Sequence, residues 1–115
     1  MCIRDRFESL VGNTPIVQLE NLGVKSSVKL YAKLEGNNPG GSVKDRAAFN
    51  MIQAALDRGD ITKGSKLIEA TSGNTGIALA MMSCRFGLNL TLLMPESATR
   101  AVSYTHLTLP TTPYV

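Results

Sequence analysis

Two short stretches carry residues that could do chemistry. The first is Ser42-Val43-Lys44-Asp45-Arg46, where a loop gives way to a helical pattern. Unpaired N–H groups put positive potential at a helix start, which disfavours a cation there by roughly 0.3–1 kcal/mol. A lysine in that turn suits work as an uncharged amine, the form that attacks a carbonyl. It equally suits a solvated side chain whose charge Asp45 offsets. The second stretch is Thr71-Ser72-Gly73-Asn74-Thr75-Gly76. Its glycines permit close backbone approach, and hydroxyls with free N–H groups at a helix start form a site for a carboxylate or phosphate. The alternative is a capped turn, with Thr71 or Ser72 as cap. The stretch matches neither the dinucleotide-binding nor the P-loop fingerprint.

The elements around these stretches follow from periodicity. Gly12-Asn13-Thr14-Pro15 is a turn signal, and Pro15 to Leu19 reads as a short strand. Val28, Leu30, Ala32 and Leu34 alternate with Lys29, Tyr31 and Lys33, the period of a half-buried strand with its lysines on the wet face. Residues 35–41 (EGNNPGG) form a loop. Ser42 is placed as a helix cap with Asp45 as the acid of a capping box, and Val43, Ala47, Ala48, Met51, Ile52, Ala55 and Leu56 share one helical face. Gly59 stops this helix. A strand over Lys66–Ala70 is predicted next, then a helix from about Thr75 to Phe86, apolar nearly all round, then a strand from Leu88 to Met94 closed by Pro95. Strand, helix, strand, helix, strand is the pattern of a parallel α/β layer. Ligands of such sheets sit beyond the carboxyl ends of the strands, so both chemical stretches are expected to face one crevice.

The bulk numbers exclude several classes. Hydrophobic residues make up 43% and charged residues 18%, the balance of a globular chain, and the net charge of +3 comes without a basic block, so no nucleic-acid or membrane-surface partner is indicated. The longest apolar run, Ile77 to Met82, is too short to cross a bilayer. Cys2 and Cys84 share no metal-like or redox-like spacing. A cytoplasmic setting and no metal are expected. Cys84, Met81, Met82 and Met94 read as core packing.

The two ends read as non-native. Met1-Cys2-Ile3-Arg4-Asp5 can be written ATG TGT ATA AGA GAC, whose reverse complement, GTC TCT TAT ACA CAT, encodes Val102-Ser103-Tyr104-Thr105-His106. One DNA element read on opposite strands therefore accounts for both flanks, and the words look like translated sequencing adapter. Residues 1–6 and 101–115 are set aside on this ground, leaving 7–100 as the natural part. The lone histidine, His106, goes with them.

The stretches GNTP, KLEGNNPGGSVKDRAA, LIEATSGNTGIALA and LLMPES, in this order and spacing, resemble the cysteine synthases (O-acetylserine sulfhydrylases), pyridoxal 5′-phosphate (PLP) enzymes of fold-type II. The EGNNP wording is most similar to the B-type isozymes, whose sulfur donor is sulfide or thiosulfate. The resemblance implies a parallel three-layer α/β sheet of the tryptophan synthase β-like kind, incomplete here, and a homodimeric parent. It implies that Lys44 corresponds to the lysine that joins the cofactor's aldehyde and later moves the Cα proton. Asn74 would hydrogen-bond the cofactor's 3′ oxygen, and the loop Thr71, Ser72, Gly73, Asn74 and Thr75 would grip the substrate's α-carboxylate. The implied reaction makes L-cysteine from O-acetyl-L-serine and a sulfur donor. Cystathionine β-synthase shares GGSVKDR and TSGNTG, and a non-catalytic interaction module on the same scaffold is a further alternative. The family continues well past Arg100, so the chain as given is expected to be inactive.

Overall fold

The computed structural model describes residues 6–95. The segments read as adapter fall outside the described residues except for Arg6, as do Cys2, His106 and the Glu96-Ser97 end of the last motif. Six main elements follow one another: β1 (Ile16–Leu19), β2 (Leu30–Lys33), α1 (Lys44–Arg58), β3 (Lys66–Ala70), α2 (Asn74–Phe86) and β4 (Asn89–Leu93). Short 3-10 turns at Phe7–Leu10 and Glu35–Asn37 precede β1 and α1.

The predicted β–α–β unit is present. β3 and β4 pair in parallel, Lys66 opposite Asn89 through Ala70 opposite Leu93, with α2 as the crossover. Glycines in left-handed conformation close both helices, Gly59 at φ 77° and Gly87 at φ 67°, as their sequence positions require. The turn before β1 also uses positive φ, at Gly12 (81°) and Asn13 (48°).

One part of the pattern differs. β2 does not join the parallel layer; it pairs antiparallel with β1, Ile16 opposite Lys33 through Leu19 opposite Leu30, in a separate two-stranded ribbon. Alternation alone fixes that a strand exists and not which strand it meets. The half-buried face is faint, because Leu30 and Leu34 are both exposed.

The core lies where α1 packs against α2. Ala48 and Ile52 of α1 meet Ala78, Leu79 and Met82 of α2 together with Leu88. The rings of Phe49 and Phe86 stack at 6.4 Å. The predicted α1 face is narrower than expected, for Val43, Ala47 and Met51 are exposed and Phe49 packs in their stead. α2 buries Gly76, Leu79, Ala80 and Ser83 along one stripe, with Ala78 and Met82 beside it. This phase turns Cys84 outward, correcting its assignment to the core.

A groove of about 300 Å³ runs between α1 and β3, lined by Met51, Ile52, Ala55, Ile61, Leu67, Leu79 and Leu90 among others. Ile68 is 70% exposed on β3 and Leu93 56% on β4. A parallel sheet with bare apolar positions and an open groove lacks the cover that such sheets have in stable domains. The isolated 115-residue chain is therefore expected to melt broadly. A sharp calorimetric transition with equal van't Hoff and calorimetric enthalpies would contradict this.

Candidate active site

The two chemical stretches open the two helices. Lys44 is the first residue of α1 and Asn74 the first of α2. α2 runs back antiparallel to β3 and β4, so its start lies at the carboxyl ends of these strands. α1 ends at Arg58 and feeds the amino end of β3 through residues 59–65. That connection bonds to the end of α2, the Gly64 N–H donating to the Gly87 carbonyl at 2.8 Å. With their carboxyl ends tied together and their sides packed, the helices present both starts toward the carboxyl ends of the strands.

Thr71 and Ser72 line a cleft of about 360 Å³ at this end, with Ala70, Leu93, Met94 and Pro95. The Thr71 N–H donates to the Leu93 carbonyl at 3.0 Å and continues the parallel ladder into the loop. Gly73 precedes α2, and a Cβ built on it would meet nothing within 4 Å, so the space before this helix start is open. Thr71, Gly73 and Thr75 are half-buried, whereas Ser72 and Asn74 are exposed. Lys44 is exposed too, and among the described residues no ion pair or side-chain hydrogen bond holds its amine. It does not line the cleft itself. The Gly76 and Ile77 N–H groups bond to the Gly73 carbonyl, leaving the N–H groups of Asn74 and Thr75 as donors at the helix start.

The loop before Lys44 is held by a network that periodicity did not reveal. The Glu35 carboxylate accepts four hydrogen bonds: from Arg46 Nε (2.8 Å) and Nη2 (3.0 Å), Thr14 Oγ1 (2.7 Å) and Asn38 Nδ2 (2.8 Å). Asn38 also donates to the Glu35 carbonyl at 2.8 Å and accepts from the Gly12 N–H at 2.8 Å. Thr14 and Asn38 are buried. Lys33 is exposed, as expected of the wet face of its strand, and also donates to the Thr14 carbonyl at 2.8 Å, with Glu35 3.8 Å away. The Arg46 guanidinium, then the Thr14 hydroxyl, hold the Glu35 carboxyl down at about 2.

Asp45 corrects the expected capping box. Its carboxylate does not return to Ser42 but reaches further back and accepts from the Gly40 N–H. Ser42 instead accepts from the Lys44 N–H at 3.2 Å through its hydroxyl. Asp45 is fully buried, and burial pushes its carboxyl above the ordinary range against the opposing bond from Gly40. Its Oδ1 has no hydrogen-bond partner among the described residues. A Cβ on Gly40 would lie 2.4 Å from that oxygen, so only glycine lets the loop lie so close. A Thr, a Glu, an Asn and an Arg crowded around glycine turns were the available sign of this network, yet nothing in their spacing says that they meet.

Comparisons with known proteins give the family. The family model described as "Pyridoxal-phosphate dependent enzyme" matches residues 7–106. Cysteine synthase B of Salmonella typhimurium is 56% identical over 91 residues, which are 79% of this chain and 30% of that protein. The O-acetylserine dependent cystathionine beta-synthase of Bacillus subtilis is 48% identical over 100 residues, 87% of this chain and 33% of that protein. Among solved structures, the O-acetylserine dependent cystathionine beta-synthase of Helicobacter pylori superimposes with a TM-score of 0.84 at 34% identity, covering 98% of this chain and 39% of that one. The chain thus spans about a third of the length of the relatives it matches.

Two outcomes follow for a full-length parent. Because the Glu35 carboxyl is depressed, its contribution to stability is complete above the ordinary carboxylate range and lost as the pH falls toward about 2. A carboxyl NMR titration should place its midpoint there, and Glu35→Gln should remove this acid-side loss. Gly40→Ala should destabilise by about 1–3 kcal/mol in denaturant unfolding, since buried Asp45 has nowhere to retreat; an unchanged midpoint would refute the close fit.

Proposed function

Because this chain belongs to the pyridoxal-phosphate dependent enzymes, we propose that its full-length parent makes L-cysteine from O-acetyl-L-serine and sulfide or thiosulfate, with Lys44 as the lysine that holds PLP. The observation that carries the reading is the pair of helix starts: a free amine opens α1, and a hydroxyl- and glycine-rich turn opens α2 beside it. The residues suit the group. An exposed amine meets the need of an aldehyde, and the open space before α2, next to a cleft of about 360 Å³, is of the size of small-ligand sites.

Each side chain has a distinct task. Asn74, at the first position of α2, would donate its amide to the cofactor's 3′ oxygen. Thr71, Ser72 and Thr75, with Gly73 leaving room and the free N–H groups of the helix start, hold the substrate's α-carboxylate; positive potential at that start favours the anion. The bound cofactor supplies an electron sink for the pair left on Cα. Lys44 Nζ would take the Cα proton as acetate leaves Cβ, and would return it to Cα once the sulfur nucleophile has bonded at Cβ. Closing the 71–75 loop over the carboxylate excludes water and fixes Cα–H toward Lys44.

The remaining parts of the reading are assigned to the parent. Residues 7–100 are its amino-terminal portion, residues 1–6 and 101–115 are adapter, and the cradle for the cofactor phosphate comes from sequence this chain does not include. The parent works in the cytoplasm as a homodimer on small molecules. A cystathionine β-synthase-like acceptor, homocysteine in place of sulfide, is the second reading, and the 48% identity to the Bacillus subtilis protein favours keeping it.

In the full-length parent, recovered by extending the reading frame, borohydride reduction followed by peptide mapping should find the pyridoxyl group on Lys44. Lys44→Ala should lose cysteine formation by several orders of magnitude while the fold survives. Label on another lysine, or an active Lys44→Ala, would sink the assignment. Supplying sulfide, thiosulfate and homocysteine in turn separates the two acceptor readings.

A further inference from the structure

Lys44 lies between two carboxylates that its own chemistry does not require. Glu35 sits at the head of the 35–41 loop and holds Arg46, the third residue of α1, through both oxygens. Asp45, the second residue of α1, holds Gly40 at the loop's far end. The loop is thereby fixed at both ends to the first turn of the helix that presents Lys44. Thr14 and Asn38 fill the remaining places on Glu35, so the 12–15 turn is locked into the same unit.

Both carboxylates are costly ways to hold a loop. Asp45 is completely buried and leaves one oxygen without a partner among the described residues, which a design for stability alone would avoid. Glu35 has every lone-pair direction occupied by a donor, an arrangement that fixes geometry more tightly than a simple surface ion pair. Lys44 itself has no side-chain partner among the described residues, so its placement depends on its backbone.

We infer that Glu35 and Asp45 are positioning residues for Lys44, clamping the 35–41 loop against the start of α1 so that the backbone from which the amine projects is fixed before any ligand arrives. This rests on the assignment of Lys44 made above. A group displaced by about 1 Å can lose on the order of a hundredfold in reaction rate, so such a clamp has a measurable effect.

The test uses full-length parent protein and PLP itself. Glu35→Gln and Asp45→Ala should weaken PLP binding, read from the visible absorbance of the lysine-linked cofactor, by roughly tenfold, the equivalent of one hydrogen bond to a charged group. Binding is measured well below the melting temperature of each cofactor-free variant. Asp45→Asn, which retains an oxygen for the Gly40 N–H, should bind as the parent does. Thr14→Val, which removes one donor from Glu35, serves if Glu35→Gln does not fold and should weaken binding in the same direction. Arg58→Ala, which removes an exposed pair with Asp60, is the control. Parent-like PLP binding in the folded Glu35 or Thr14 and Asp45 variants, with only their melting temperatures lowered, overturns the inference while Lys44 keeps its role. Absence of cofactor from Lys44 in the parent overturns both.

Discussion

The loop that leads to Lys44 depends on one carboxylate being satisfied. Glu35 follows β2 directly, and its partners come from the turn before β1, from its own loop and from α1. β1 and β2 pair with each other, a ladder that the Leu34 N–H extends to the Pro15 carbonyl, and α1 packs on α2. The Glu35 cluster is the polar joint between the antiparallel ribbon and the helical layer. A guanidinium that meets a carboxylate through two parallel bonds fixes direction as well as distance, which a single lysine could not do. The depressed carboxyl of Glu35 is the electrostatic trace of the same arrangement.

The hydrophobic part of the structure is less finished than the polar part. Met82, Ala78 and Ala48 are sealed between the helices, but the sheet beneath has two strands among the described residues and bare side chains at Ile68 and Leu93. Parallel strands are stable when both faces are covered. A chain that spans about a third of its relatives leaves that cover to be supplied by what it does not include. The Glu35 cluster is satisfied by partners within this chain; the exposed apolar positions of the sheet are not.

This difference explains what the sequence disclosed. β3 was legible residue for residue, and both helices were legible to within two residues at their starts, because glycine stops and loop composition mark such boundaries locally. The opening positions of Lys44 and Asn74 followed from the same signals. The antiparallel pairing of β2 was not legible, since pairing is a long-range choice that alternation leaves open. Nor was the reach of Asp45 to Gly40: a serine three residues before an acid suggests a capping box, and only the close fold of the 38–41 turn makes Gly40 the nearer donor. Cys84 was misplaced because a continuous apolar run hides helical phase, and the side that faces outward cannot be told from composition.

The polar joint and the two helix starts form one argument. A helix start attracts anions, and the one before α2 is open: Gly73 leaves space and the Asn74 and Thr75 N–H groups are free of helical partners. Before α1 the first N–H groups are answered by the turn itself: the Lys44 N–H by the Ser42 hydroxyl, the Asp45 N–H by the Ser42 carbonyl and the Arg46 N–H by the Val43 carbonyl. The Asp45 carboxyl reaches away from these groups to the Gly40 N–H and closes the loop. In the proposed reading the amine opens the occupied start and an anion takes the open one, and the packing of α1 on α2 brings both starts to the same end of the sheet.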